Sequence, residues 1–378
     1  VHIPESEEER GAMFLSEYGK ILHFLETHKP NDLVKLNRMD DEIQIIIQQI
    51  LSRLLIPTIL SAQLTLLGIL TCISITLVIE NGATDLVAYA YALFAVTIIN
   101  IKQDYKTGVE FGEIAIEVSQ WNHNKALMGG VFNTVGCITN HLKYPAIDNE
   151  RLFQLSSKYC EESGNIFEMV LSEGNSLWNH FYRGDNIHDV YNKIAHFETI
   201  CQKYNVWDAM LNIYYPTMAM LKFLVAEHDV SEPLIYSGRT EKSHVEIVES
   251  LGSKSPLAQF YGILITKSFL FGRYEEILET GELLEKNTAA PTVYHDICPN
   301  FYRCVAYILV LHTLTDDKKV FYQGKIDKLK TDFYNFSELN PNNFQHMYSL
   351  ILAVASWAKN EKWEAMKIMS SRLMTFFL

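Results

Sequence analysis

Apolar residues recur three and four positions apart through nearly the whole chain, the spacing of helices that bury one face and leave the other wet. The clearest stretch runs from Asn100 to Val118. A short polar turn there gives way to Tyr105, Val109, Ala115 and Ile116 set among polar residues. The same construction returns from Phe271 to Leu284 and from Lys359 to Met369, with degenerate copies near Tyr144, at Arg183 to Ile187, near Val230 and near Val320. Tyr105, Tyr144, Ile187, Val230, Tyr274, Val320 and Trp363 therefore fall about 40 to 45 residues apart, the period of two-helix repeats. The pattern predicts an all-α chain built as a stack of helical hairpins, each packed only on its neighbours.

Ahead of the repeats, residues 1–84 read as an N-terminal helical segment packed on the array that fills 85–378. Met13, Phe14, Tyr18, Ile21, Leu22 and Leu25 predict a first helix after an acidic lead. Asp40-Asp41 opens a second helix expected to reach Leu55, with Pro57 ending it or starting the next. The hairpins then follow in pairs: Asp85 to Ile101 with Tyr105 to Gln120, Asn124 to Asn140 with Ile147 to Glu162, and Phe167 to Tyr182 with Ile187 to Tyr204. Trp207 to Glu227 pairs with Pro233 to Leu251, Leu257 to Phe271 with Tyr274 to Lys286, Ile297 to Leu314 with Val320 to Phe336, and Phe344 to Ala358 with Lys362 to Leu378. Gly252 to Pro256 and Asn287 to Pro291 read as turns. No strand alternation is found.

From Ile59 to Ile79 the chain carries no charge, and the run is long enough to cross a bilayer. Ser61, Gln63, Thr65, Thr71, Ser74 and Thr76 interrupt it, no Lys or Arg flanks it, and an equally apolar helix follows. A central helix covered on several sides is apolar all round for the same reason as a membrane span. The expectation is a buried helix and no membrane span. The last helix closes on Phe376-Phe377-Leu378 without a cap or polar face, which suggests a segment of a longer protein. The opening residues lack the basic start, apolar run and cleavage site of a signal peptide.

Composition agrees with a folded chain: 48% hydrophobic and 20% charged residues support a large interior. The net charge of −13, with 32 Lys and Arg never gathered into a stripe, leaves no footprint for nucleic acid. Cys72, Cys137, Cys160, Cys201, Cys298 and Cys304 lie far apart with no C-x-x-C, so neither disulfides nor zinc are indicated and a cytoplasmic setting fits.

Chemistry-bearing patterns are scarce. No phosphate-binding glycine motif is present, and Gly108, Gly112, Gly136, Gly262 and Gly281 read as close helix crossings. His188 and His196 stand two turns apart, too far to share a metal. Asn140-His-Leu-Lys143 reads as a helix C-terminal cap, with an anion site as the sharper alternative. Glu161-Glu162, Glu275-Glu276 and Asp316-Asp317 point to different sides of their helices and read as solvated. Trp121, Trp178, Trp207, Trp357 and Trp363, with twenty Tyr and twenty Phe, read first as filling between hairpins and second as a peptide groove. No catalytic, cofactor-binding or metal-ligating residue is assigned, and no enzyme is expected in this segment.

Several stretches together resemble a known family. They are Leu36-Asn-Arg-Met-Asp40, Leu86-Val-Ala-Tyr-Ala-Tyr91, Asp104 to Ala115, Asn140-His-Leu-Lys143, Phe269-Leu-Phe-Gly-Arg-Tyr-Glu275 and Asn340-Pro-Asn-Asn-Phe344. In this order they resemble the TPR-like helical region of very large bacterial and fungal signalling proteins. Those proteins join a Ser/Thr-kinase-like domain, a predicted AAA or STAND ATPase, this helical region, a GAF domain and often a histidine kinase. The resemblance covers about residue 17 to the end and implies a TPR-like helical-hairpin solenoid. It implies a non-catalytic interaction and signal-relay module whose partners are the neighbouring ATPase, GAF or kinase domains. This chain is poorer in alanine and richer in Asn, Ile and Lys than the family pattern. The competing expectation is a TPR-type regulator that binds a peptide or small ligand on its concave face.

Overall fold

A computed structural model describes residues 3–61, 63–206, 215–225, 240–250, 255–288 and 293–376. Among them the structure is all-α, with no strand and one isolated bridge between Arg38 and Ala83. The helices are α1 (Glu7–Leu25), α2 (Glu42–Leu60), α3 (Leu64–Asn81), α4 (Ala88–Lys102), α5 (Tyr105–Ser119), α6 (Lys125–Ile138), α7 (Asn149–Ser163), α8 (Ile166–Arg183) and α9 (Ile187–Tyr204). They continue as α10 (Tyr215–Leu224), α11 (Glu241–Ser250), α12 (Ser255–Leu270), α13 (Glu276–Asn287), α14 (Tyr294–Val310), α15 (Asp316–Leu339), α16 (Pro341–Ala358) and α17 (Lys362–Phe376). Trp207, Val230, Pro233 and the cores of the turns expected at 252–256 and 287–291 lie outside the described residues.

Short side chains set the turns. Asp104 accepts the Thr107 N–H at 3.1 Å, Asn124 that of Leu127 at 3.3 Å and Asn186 that of His188 at 2.9 Å. Each satisfies a donor the first helical turn would otherwise orphan. Gly164 and Gly184, at φ +74° and +83°, end α7 and α8 in the left-handed conformation that costs glycine little.

Two sequence expectations are corrected. Helix α2 runs through Pro57 to Leu60 rather than stopping at Leu55. Pro57 and Arg53 are both exposed, so the Arg53 carbonyl that loses its helical donor can bond water. Secondly, the uncharged run from Ile59 is divided between two helices, α2 and α3. Helix α3 and the stretch Asp85–Lys102, which ends in α4, are each long and apolar enough to cross a membrane by length and composition. Both are covered instead: no residue from Leu64 to Ile79 is exposed, and every residue from Ala88 to Ile99 is buried. Helix α4 packs on α3, α5 and α6, which explains its all-round apolarity.

Consecutive helices pack on each other from α2 to α10 and from α11 to α17, α1 packs on α3, and the helices two apart, α4 on α6, α6 on α8, α12 on α14 and α14 on α16, touch as well. Contacts between helices two apart are those of adjacent hairpins. The contact that reaches beyond neighbouring hairpins is that of α14 on α8, where Trp178 meets His295 with ring centroids 4.4 Å apart. One apolar core runs from Phe14 to Ile351, and a second gathers Trp178, Ile194, Phe197 and Leu221 around α8, α9 and α10.

Candidate functional site

Three stretches that the sequence singled out, the outermost more than two hundred residues apart, meet at one place. The turn Asn140–Leu142 follows α6, and the start of α16 lies against it. Asn340 Nδ2 donates to the carbonyls of His141 at 3.0 Å and Tyr144 at 2.8 Å. Asn343 Nδ2 donates to the same two carbonyls at 2.7 and 2.9 Å, and its Oδ1 accepts the Ala146 N–H at 2.9 Å. His141 is fully buried between Tyr294 and Phe344, with centroids 5.2 and 6.2 Å away. Glu113 of α5 joins the group by accepting from Lys143 and from the Tyr144 hydroxyl. The Asn140 stretch therefore does more than close a helix: its free carbonyls are consumed by asparagines from the far end of the chain.

Beside this junction lies a cavity of about 300 Å³. Helix α4 and the following turn supply Ile99, Asn100, Gln103 and Tyr105; α13 to α15 supply the remainder. Its apolar wall is Ile99, Ile297, Leu329, Phe333 and Phe336, with Tyr105 edge-on to Phe336 at 5.7 Å. Its polar lining is Asn300, Arg303, Lys328, Asp332 and Glu285.

These charges are unequally satisfied. Arg303 is 6% exposed; its Nη1 donates to the Gly281 carbonyl at 2.8 Å and lies 3.5 Å from Glu285, while its enclosed Nε has no partner. Lys325 holds Glu285 at 2.7 Å and Glu282 at 3.2 Å. Burial raises the Glu285 carboxyl, but Lys325, Arg303 and Lys328 more than offset it and keep the group below its ordinary range. Asp332 has no such donor. Burial raises its carboxyl above the ordinary range against the opposing pull of Lys328 and Arg303. Tyr105, half-buried and near the Asp332 charge, is pushed up to about 12. Among the described residues no histidine, cysteine or serine lines the cavity.

The other sequence candidates disperse. His188 and His196 are exposed, and among the described residues no three His, Cys, Asp or Glu gather as a metal site. Glu161, Glu162, Glu275, Glu276, Asp316 and Asp317 are all exposed. Trp178 is core, Arg38 stacks on Trp121 at 3.6 Å, Trp357 and Trp363 are exposed, and Trp207 lies outside the described residues. Leu36 to Asp40 bonds the residue just ahead of the Leu86 stretch, through Met39 N–H to Ala83 O at 2.9 Å. The cavity is not visible in the sequence pattern. Its signal was the two stretches Asp104 to Ala115 and Asn340 to Phe344, which flank it without announcing that they meet.

No family model matches the chain, and no curated protein or solved structure shows significant similarity to it.

Proposed function

We propose that this chain is a non-catalytic, TPR-like helical-repeat module that relays signals within a larger cytoplasmic sensor kinase or ATPase-containing regulator. The observation that carries the reading is the cavity shared by the α4–α5 turn and α13 to α15, because an occupant touching both sets of helices biases how they close. A lining of amides, paired charges and aromatic rings, without a nucleophile and base in mutual reach, supports binding rather than turnover. The roughly 42-residue period and the resemblance to helical regions beside signalling ATPases support the relay role. Neighbouring ATPase, GAF or kinase domains are the partners on this reading.

The second reading is a self-sufficient regulator that binds a peptide or small ligand, and the cavity favours its small-ligand form. Solution scattering and hydrogen exchange of the chain, alone and joined to candidate neighbouring domains, separate the two. Relay requires the exchange of α13 to α16 to change when a neighbour is attached. An unchanged profile with every neighbour removes the relay and leaves the regulator.

A further inference from the structure

The cavity's chemistry narrows its occupant. An organic cation placed there meets Arg303 and Lys328, and an organic anion meets Asp332 and Glu285, so a ligand of one charge gains from one pair and is repelled by the other. A neutral ligand leaves the half-buried Asp332 carboxyl without a counter-charge. Lys328 stands one helical turn from Asp332 on α15 and forms no ion pair with it; its nearest carboxylate is Glu285 at 3.9 Å, which Lys325 already holds at 2.7 Å. One carboxylate without an ion pair and one ammonium held only at 3.9 Å thus stand a turn apart on α15, in a cavity also lined by Ile99, Phe333 and Phe336.

Resting on the reading of this cavity as a ligand site, we infer that it takes a small zwitterion with an apolar side chain, an α-amino acid or close analogue. The ammonium lies at Asp332, the carboxylate at Lys328 and the Arg303 side, and the side chain on the aromatic wall. A volume of about 300 Å³ accommodates a molecule of this size.

The test is calorimetry and thermal shift on the full chain with four probes: L-phenylalanine, L-leucine, phenethylamine and 3-phenylpropionate. At least one amino acid is expected to raise the melting temperature and to bind at least tenfold more tightly than both single-charge probes. Asp332→Asn should weaken amino-acid binding about tenfold and spare 3-phenylpropionate; Lys328→Gln should weaken amino-acid binding and spare phenethylamine. Lys328 is exposed and Asp332 half-buried, so unliganded melting serves as the folding control. Equal or tighter binding of a single-charge probe overturns the zwitterion while the cavity remains a ligand site. Amino-acid binding that ignores both substitutions places the ligand elsewhere and also overturns the inference. If no probe binds, the ligand-site reading falls with it.

Discussion

Asn343 and Ala146 stand 197 residues apart in the chain, yet the Asn343 carboxamide accepts the Ala146 N–H and donates to the carbonyls on either side of that turn. One side chain thereby satisfies the Ala146 N–H and shares with Asn340 the two carbonyls of the irregular connection between α6 and α7. This places the last hairpins on the middle of the molecule and sets α15, with Phe333, Phe336 and Asp332, against the α4–α5 turn.

Removing that side chain is correspondingly costly. Asn343→Ala is expected to destabilise the fold by roughly 3 kcal/mol, since it strips partners from buried groups and leaves Asn340 to bond the two carbonyls alone. Urea unfolding measures it. A loss under about 0.5 kcal/mol, the size of an ordinary surface change, would mean the clamp does not hold the fold.

Two glycines should respond with opposite signs. A Cβ on Gly281 would overlap the Tyr307 hydroxyl and come within 2.7 Å of the Arg303 Cδ, so Gly281→Ala should cost about 1 to 3 kcal/mol and disturb the cavity's guanidinium. Gly324 lies inside α15 with nothing within 4 Å of such a Cβ, so Gly324→Ala should gain up to about 1 kcal/mol in helix propensity. Urea midpoints shifting the same way in both variants would contradict this packing.

Asp296 makes the pH dependence. It is 7% exposed in the first turn of α14, and burial raises its carboxyl from the ordinary 3.8 to about 7. A raised carboxyl means the folded chain holds a proton that the unfolded chain releases, so stability falls as pH climbs from about 4 through 7. Asp296→Asn should therefore gain on the wild type by up to about 4 kcal/mol at pH 8 and by little at pH 4. Glu150 acts in the other direction: burial raises its carboxyl, but His180, Lys193 and Ser176 outweigh this and hold it below its usual range, so its contribution disappears in acid. A difference between Asp296→Asn and wild type that stays constant with pH would refute the assignment.

The thiols should be inert. Burial pushes Cys160, Cys201 and Cys304 up to about 12, and Cys72, Cys137 and Cys298 further. Since the thiolate is the reacting species, an aromatic disulfide reagent should titrate none of the six in the native chain within minutes and all six after unfolding. A fast-reacting native thiol would show that its helix opens.

What was legible in the sequence was whatever depends on near neighbours. Gly108, Gly112, Gly136, Gly262 and Gly281 read as close crossings, and a Cβ at each would press on Ile99, Thr139, Phe153, Pro299 or Tyr307. Helical periodicity located the elements because each buries one face on the next. Pro57 misled because its cost depends on whether water reaches the freed carbonyl, which only the fold decides. The junction of Asn340 and Asn343 with His141, and with it the cavity, stayed hidden because periodicity reports the face a helix buries and not which distant helix covers it. An array expected to touch only its neighbours gave no reason to look for that contact.

The central claim is that the α6–α7 turn and the α15–α16 hairpin are one cooperative unit that shapes the cavity. Hydrogen-exchange mass spectrometry of wild type and Asn343→Ala tests it most directly. The account predicts joint loss of protection in peptides covering 140–149, 333–350 and the cavity edge at 99–105, with 187–204 unchanged. Loss confined to the few residues around 343 would contradict it.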